Sequence, residues 1–258
     1  MTSLQTATGG SDVIVLDNFG VSLGSTQILE SISLNITEGE FVCLVGASGC
    51  GKSTLLRTFG GLIEGDGGID ILGQSPAASY EKVAYVFQNA RLLRWRTALD
   101  NVILGRQLRF GRASKAELRE KAAPYLELVG LRDVAARTAH VMSGGEQQRV
   151  AIARALAVEP TLLLMDEPFS ALDVKTRRAL REEIVRIWQR TGVTIVFVTH
   201  SIEEALLLGS RVVVLKGKPS TVVADIDVGM PYPRELLTEE FKRHRNELTE
   251  LLDGGELN

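Results

Sequence analysis

The sequence predicts an α/β protein with a mainly parallel sheet at its core, an antiparallel β layer beside it and an inserted helical lobe. Three observations carry that expectation. Apolar runs of buried-strand type, FVCLVG from residue 41, LLLM from 162 and TIVFVT from 194, alternate with helical segments, the order that yields parallel strands joined by crossovers. A glycine-rich loop follows the first run and opens a helix, the kind of turn at which such sheets bind ligands. From residue 89 to 160 the texture is helical, which sets a lobe of helices inside a sheet-forming chain.

In chain order, residues 1–11 are small and polar and are expected to be disordered. Strands are expected at 13–17 and 32–36, and the Glu38-Gly39-Glu40 turn leads into the buried strand 41–46 and a helix over 53–59. Strand candidates at 67–72 and 83–87 follow, the second ending at Gln88. Helix formers with apolar residues three and four apart predict helices at 98–104, 114–129 and 144–157. A fully apolar strand at 162–165, a charged amphipathic helix at 173–190 and a buried strand at 193–199, ending at His200, come next. Ser201 caps a helix to residue 208 with Glu203 and Glu204 in its first turn, and strands at 212–215 and 221–225 follow. Met230-Pro-Tyr-Pro233 breaks the pattern before a last amphipathic helix over 238–252. The expected division of this single domain is a core from 12–88 and 161–226, a helical lobe at 89–160 and a tail at 227–258.

With 258 residues, 45% of them hydrophobic, and a formal charge of −3, the chain reads as an ordinary soluble globular protein. No long basic tract appears, which argues against a nucleic-acid partner held by bulk charge. Cys43, in an apolar strand, and Cys50, in the glycine-rich loop, are too few and too poorly placed for a disulfide framework and suit a reducing cytoplasm. The chain shows no apolar run of about eighteen residues, and MTSLQTATGG lacks the layout of a signal peptide. The expectation is a chain that neither spans a membrane nor is exported, with docking onto a membrane surface left open.

The loop Gly46, Ala47, Ser48, Gly49, Cys50, Gly51, Lys52, Ser53 and Thr54 fits the phosphate-binding pattern G-x-x-x-x-G-K-[ST]. Small residues let backbone N–H groups curl around phosphate oxygens, and the helix that follows points its positive end at the same anion. Lys52 adds a point charge, and Ser53 a hydroxyl for a metal ion bridging the outer phosphates. A nucleoside triphosphate site is therefore expected. Asp166 and Glu167 emerge at the end of the LLLM strand, where Asp166 would hold the magnesium shell and Glu167 would act as general base on the attacking water. His200 follows the next strand in the same way and suits a hydrogen bond to the terminal phosphate, and Gln88, after KVAYVF, suits metal or water contact with an amide that does not titrate. In MSGGEQQR, Ser143, Gly144 and Gly145 precede a helix and offer a second anion cradle. The plainer alternative is a serine cap with a glycine turn, Glu146 completing a capping box. Two cradles in one chain suggest that each molecule lends its second to a partner.

In this order the phosphate loop, Gln88, SGGEQQR, LLLMDEP, Ser170-Ala-Leu-Asp173 and His200 resemble the ATP-binding subunit of an ABC transporter, over residues 12–226. That resemblance implies a P-loop ABC-type ATPase using ATP and Mg2+, and a head-to-tail homodimer or a pair with a similar chain. It implies that Ser143 and Gly145 face the partner's nucleotide and that Asp173 crosses the dimer interface. The family's aromatic contact to adenine falls at Leu23, with Phe19 as the substitute if the strand register differs. Glu146 stands where the family usually has glutamine. QNARLLRWRTALDNVILG, residues 88–105, is similar to the subfamily importing nitrate, taurine and aliphatic sulfonates, with Arg94 for the usual proline, and the PYPRELLTEEFKRHRNELTELL tail resembles it too. Leu92, Leu93 and Trp95, with Arg91, Arg94 and Arg96, then read as a contact surface for a membrane permease. The resemblance further implies a periplasmic or extracellular solute-binding protein in the same system and a peripheral place on the cytoplasmic side of the inner membrane. An exporter subunit and a non-transport ABC ATPase are the alternatives.

Overall fold

Four central strands are buried on both faces, and alternate residues of each enter different cores. The structure, a computed structural model, describes residues 10–254 except 112 and 171. The expected disorder before residue 10, Ala171 and residues 255–258 lie outside the described residues. The strands are β1 (Asp12–Leu23), β2 (Thr26–Thr37), β3 (Phe41–Gly46), β4 (Asp66–Ile71), β5 (Val83–Val86), β6 (Leu162–Asp166), β7 (Thr194–Val198), β8 (Arg211–Gly217) and β9 (Ser220–Asp227). The helices are α1 (Lys52–Phe59), α2 (Ala98–Phe110), α3 (Lys115–Leu128), α4 (Gly144–Leu156), α5 (Val174–Thr191), α6 (Ile202–Leu208) and α7 (Glu239–Asp253).

The strands join in one sheet of order β4-β1-β2-β9-β8-β3-β7-β6-β5. Pairing is parallel from β8 through β3, β7 and β6 to β5, and antiparallel for β1 with β2 and β4 and for β8 with β9. The mainly parallel core and the antiparallel layer are thus halves of one sheet, joined by a single parallel pair, Leu29 with Ser220. On β3, Phe41, Cys43 and Val45 pack in the core beneath the helical lobe and the outer helices, whereas Val42 and Leu44 pack with α1 and the antiparallel layer. Residues 162–165, 195–198 and 212–215 divide the same way. Two-residue periodicity thus lets one apolar run serve two cores.

β1 and β2 each span twelve residues, well beyond the five-residue strands expected for them. Register shifts break the simple alternation along β1, and outward polar residues on β2 interrupt its apolar pattern, so only the most apolar stretch of each was legible. Gly24, at φ 62°, makes the tight turn between them. α2 continues to Phe110, six residues past its expected end, and stops at Gly111, whose φ is 81°. Among the described residues no helix is long and apolar enough to cross a membrane.

Candidate functional site

α1 differs from the other helices at its start. Side-chain oxygens cap α2 through α7, from Thr97, Ser114, Ser143, Asp173, Ser201 and Thr238. The cap of α1 is Gly51, with φ 93° and no side-chain bond. A Cβ there would come within 2.8 Å of Leu29 Cδ2 and 2.9 Å of Ile28 Cγ2, so glycine is required on both grounds. The positive end of α1 is left to the loop, where Ala47, Ser48 and Gly49 are exposed and Cys50 is buried. Gly46 backs onto Leu215 O, and a Cβ would also lie 2.7 Å from Cys50 Sγ. Lys52 is buried, its Nζ donating to Gly46 O at 2.9 Å and Ala47 O at 2.8 Å. Its charge is thus held inside the curl of the loop. Thr54 lies half-buried on the first turn of α1.

Ser53 Oγ donates to Asp166 Oδ1 at 2.6 Å. The other oxygen of Asp166 accepts from Tyr85 Oη at 3.2 Å and faces Arg57 Nη2 at 4.0 Å. Burial, with the Asp166 carboxylate next in effect, pushes the Tyr85 phenol far up, so it remains a donor. Tyr85 on β5 and Arg57 one turn after Ser53 therefore orient a carboxylate that is itself buried. Neither was foreseen. The tyrosine reads as an ordinary sheet aromatic, and its partner lies 81 residues away.

Glu167 has a φ of 42°, the left-handed region, and its N–H donates to Val198 O at 3.1 Å across the sheet. This turn sets its carboxylate 3.6 Å from His200 Nδ1, so β6 and β7 bring two of the expected catalytic residues together. Gln88 is exposed, and its Nε2 donates to Ser170 Oγ at 3.1 Å. The amide thus meets the segment leading to Asp173, and no hydrogen bond joins it to Ser53 or Asp166 among the described residues. Leu23, at the end of β1, is 47% exposed, whereas Phe19 is fully buried, so the register leaves no role for Phe19 at an exposed base.

The second cradle heads α4. Ser143 Oγ accepts from Glu146 N at 3.2 Å, and Ser143 N donates to Glu146 Oε2 at 2.8 Å, a complete capping box. Those bonds, the backbone N–H of Ser143 first, hold the Glu146 carboxyl below its usual range, with Arg137 Nη1 2.9 Å from Oε1. A Cβ on Gly145 would collide with Thr176 Cγ2 of α5, while Gly144 has room. Asp173 caps α5, accepting from Thr176 N at 3.0 Å, and hydrogen bonds from Thr176 hold its pKa low. Among the described residues no hydrogen bond or ion pair joins residues 143–146 or Asp173 to the phosphate loop.

The loop after Gln88 is fastened at many points. Asn101 of α2, fully buried, accepts from Leu93 N at 2.8 Å and donates to Leu93 O at 3.1 Å and Thr97 O at 2.9 Å. Arg154 of α4 donates to Arg91 O and Ala90 O, and Ala139 N and His140 N donate to Arg96 O and Arg94 O. On this frame Trp95 stands 74% exposed. Leu92 packs on the core and the Arg91 guanidinium lies 3.9 Å over the Phe87 ring, so the expected apolar and charged set is only partly outward. Asn101 gives no sequence signal, being one of several polar residues on this helix.

Residues 29–170 match the family model described as ABC transporter. A nitrate import ATP-binding protein of Synechococcus elongatus is 45% identical over 235 residues, covering 89% of this chain but 36% of that protein, so the chain spans about a third of that relative's length. A taurine import ATP-binding protein of Rhizobium johnstonii is 44% identical over 81% of this chain and 80% of its own. A dimeric ATP-binding cassette solved in a post-hydrolysis state with ADP and Pi superposes with a TM-score of 0.73 at 34% identity, covering 83% of this chain and 98% of that one. With the loop, the buried aspartate and the Glu167–His200 pair assembled at the strand ends, the chain belongs to the ABC transporter family and is an ATPase of its ATP-binding cassette type.

Proposed function

We propose that this chain is the ATP-hydrolysing subunit of an importer for nitrate or an organic sulfonate such as taurine, working as a homodimer or a pair with a similar chain. It rests on the cytoplasmic face of the inner membrane against a permease subunit, supplied by a periplasmic or extracellular solute-binding protein. The observation that carries the reading is the exposed Trp95 on a loop whose backbone is fixed by α2, by Arg154 of α4 and by the segment before Ser143. A protruding tryptophan ringed by arginines is a favoured interface anchor. Its attachment to the element bearing the second cradle gives a permease leverage on that cradle. The import functions named for the nitrate and taurine relatives support the substrate class. Exposed Val141 and Val174, flanking Ser143 and Asp173, support a partner across that face.

The chemistry follows from the side chains. Loop N–H groups and the uncapped start of α1 receive the phosphates, and Lys52 supplies positive charge beside them. Glu167 takes the proton of a water whose oxygen attacks the terminal phosphorus as the bond to the ADP oxygen breaks, giving ADP and phosphate. His200, 3.6 Å from Glu167, is placed to hydrogen-bond the leaving phosphate or to orient the glutamate. Ser53 Oγ and Asp166 Oδ1, 2.6 Å apart with Asp166 held by Tyr85, form the hard oxygen pair that fits Mg2+, which otherwise takes phosphate and water ligands. When bound, magnesium neutralises charge developing on the outer phosphates. Gln88, bonded to Ser170, would join that shell only after leaving this partner.

Deleting the gene and growing the strain on taurine or an alkanesulfonate as sole sulfur source, and separately on nitrate as sole nitrogen source, tests the assignment. A defect on one source alone identifies the substrate class. Normal growth on all of them in a strain with no second copy refutes the substrate class and leaves the ATPase standing.

A further inference from the structure

A groove of about 740 Å3 runs between α5 and the segment 230–237, away from the nucleotide residues. One wall is a stripe of α5, with Arg178, Arg181, Val185 and Gln189 at three- and four-residue spacing, roughly 16 Å of helix. Leu207 of α6 lines the floor and Leu236 and Leu237 the far side, with Leu237 82% exposed. The far wall is preformed. Tyr232 Oη donates to Leu208 O, and Arg234 donates to Leu206 O and Gly209 O at 2.6 Å each, so both close the end of α6. The Tyr232 ring packs edge-on to Trp188 of α5 at 5.6 Å.

The lining holds four arginines against two glutamates. Arg234 is engaged with carbonyls, Arg178 pairs with Glu182 at 3.3 Å and Arg186 with Glu183 at 2.8 Å. Arg181 alone of the four has no hydrogen bond or ion pair among the described residues. It sits half-buried on the stripe, with the Glu204 carboxylate acting on it through space. A volume of this size falls in the range of small-molecule sites, roughly 300–1,000 Å3, with an apolar lining and few convergent polar groups.

We infer that this groove binds an organic anion with an apolar body, its acid headgroup on Arg181 and its body between Val185, Leu207 and Leu236. The ligand acts on hydrolysis, because the walls are the far parts of two helices that begin beside the catalytic end: α5 starts at the Asp173 cap and α6 two residues after His200. Neither the phosphate loop nor the Trp95 surface contributes to it.

The test is a fluorescence titration of the full chain, in excess magnesium-ATP, with anilinonaphthalenesulfonate, a probe with an aromatic body and one sulfonate. Dodecanoate is then added as a non-fluorescent competitor. Binding is expected to saturate at one probe per chain, to be displaced by dodecanoate, and to weaken roughly tenfold in Arg181→Ala, which loses a charge-assisted hydrogen bond. Val185→Asp weakens it at least as much by setting a like charge against the headgroup. The melting temperature of Arg181→Ala falls only slightly, since the side chain makes no hydrogen bond or ion pair among the described residues and loses only a through-space attraction to Glu204 and Glu203. The ATPase rate changes on probe saturation in the wild type and not in Arg181→Ala. Unsaturable binding, equal affinity in wild type and Arg181→Ala, or failure of dodecanoate to compete overturns the site, and an unchanged wild-type rate at saturation overturns its action on hydrolysis.

Discussion

Asn101→Ala removes the pin beneath the exposed tryptophan. The fully buried amide makes three short bonds, to Leu93 N, Leu93 O and Thr97 O, at 2.8, 3.1 and 2.9 Å. At about 1 kcal/mol net for each bond the substitution costs about 3 kcal/mol. For a domain near this size 1 kcal/mol moves the midpoint by about 2–4 °C, so the melting temperature should fall by about 6–12 °C. Asn101→Asp keeps the acceptor for Leu93 N but turns a buried carboxylate oxygen toward Leu93 O and Thr97 O, and should fall at least as far as Asn101→Ala. Because Asn101 bonds neither the phosphate loop nor Asp166, the ATPase rate of the purified chain below its melting point should hold, while transport-dependent growth is lost as the Trp95 platform loosens. A midpoint within about 2 °C of wild type, or normal transport, would refute the idea that Asn101 sets this loop.

The remaining expectations concern the nucleotide site. Lys52→Ala should abolish ATP hydrolysis, and retained turnover would remove the phosphate-loop assignment. Glu167→Gln should run as a dimer by light scattering in excess ATP; a protein that stays monomeric would sink the shared-cradle reading. Tyr85→Phe should raise the magnesium concentration for half-maximal ATPase rate by about tenfold, the loss of one bond to a carboxylate; an unchanged magnesium profile would show that Tyr85 does not orient Asp166. The Glu146 carboxyl lies below its unfolded value because Ser143 N–H bonds to it, and Arg137 is a lesser cause. Its contribution to stability is therefore full above the unfolded pKa, near 4.3, and lost as pH falls through the lower folded value. Glu146→Gln should flatten the acid side of the melting-temperature profile and cost under about 1 kcal/mol at neutral pH, since Arg137 is half exposed; an unaltered acid limb would refute it.

Most of the architecture was legible because its signals are local. FVCLVG and LLLMD each read as strands buried on both faces and appear as β3 and β6, and each capping serine or threonine stands at a helix start. What escaped depends on chain segments far apart. Nothing near Ile28 or Thr221 announces that the antiparallel layer joins the parallel sheet at one pair, and the outer halves of β1 are hidden by bulges. The same division holds at the site. Motifs contiguous in sequence gave Lys52, Ser53, Asp166, Glu167 and Ser143 directly, whereas Tyr85, Arg57 and Asn101 earn their roles through a partner in another element. Gln88 was placed near the metal by position in the chain, and its amide is turned instead to Ser170.

The lone Leu29–Ser220 pair makes the wall bearing Leu23 a panel hung on side chains and not on a backbone ladder. Phe19, Leu29 and Ile32 of that panel share one apolar core with Leu55 and Phe59 of α1, so its tilt is set by how well this core is filled. Trimming a methyl group there would leave every phosphate ligand in place and still let the panel rock away from the loop. Nucleotide residence time should therefore respond to core substitutions that never touch the nucleotide.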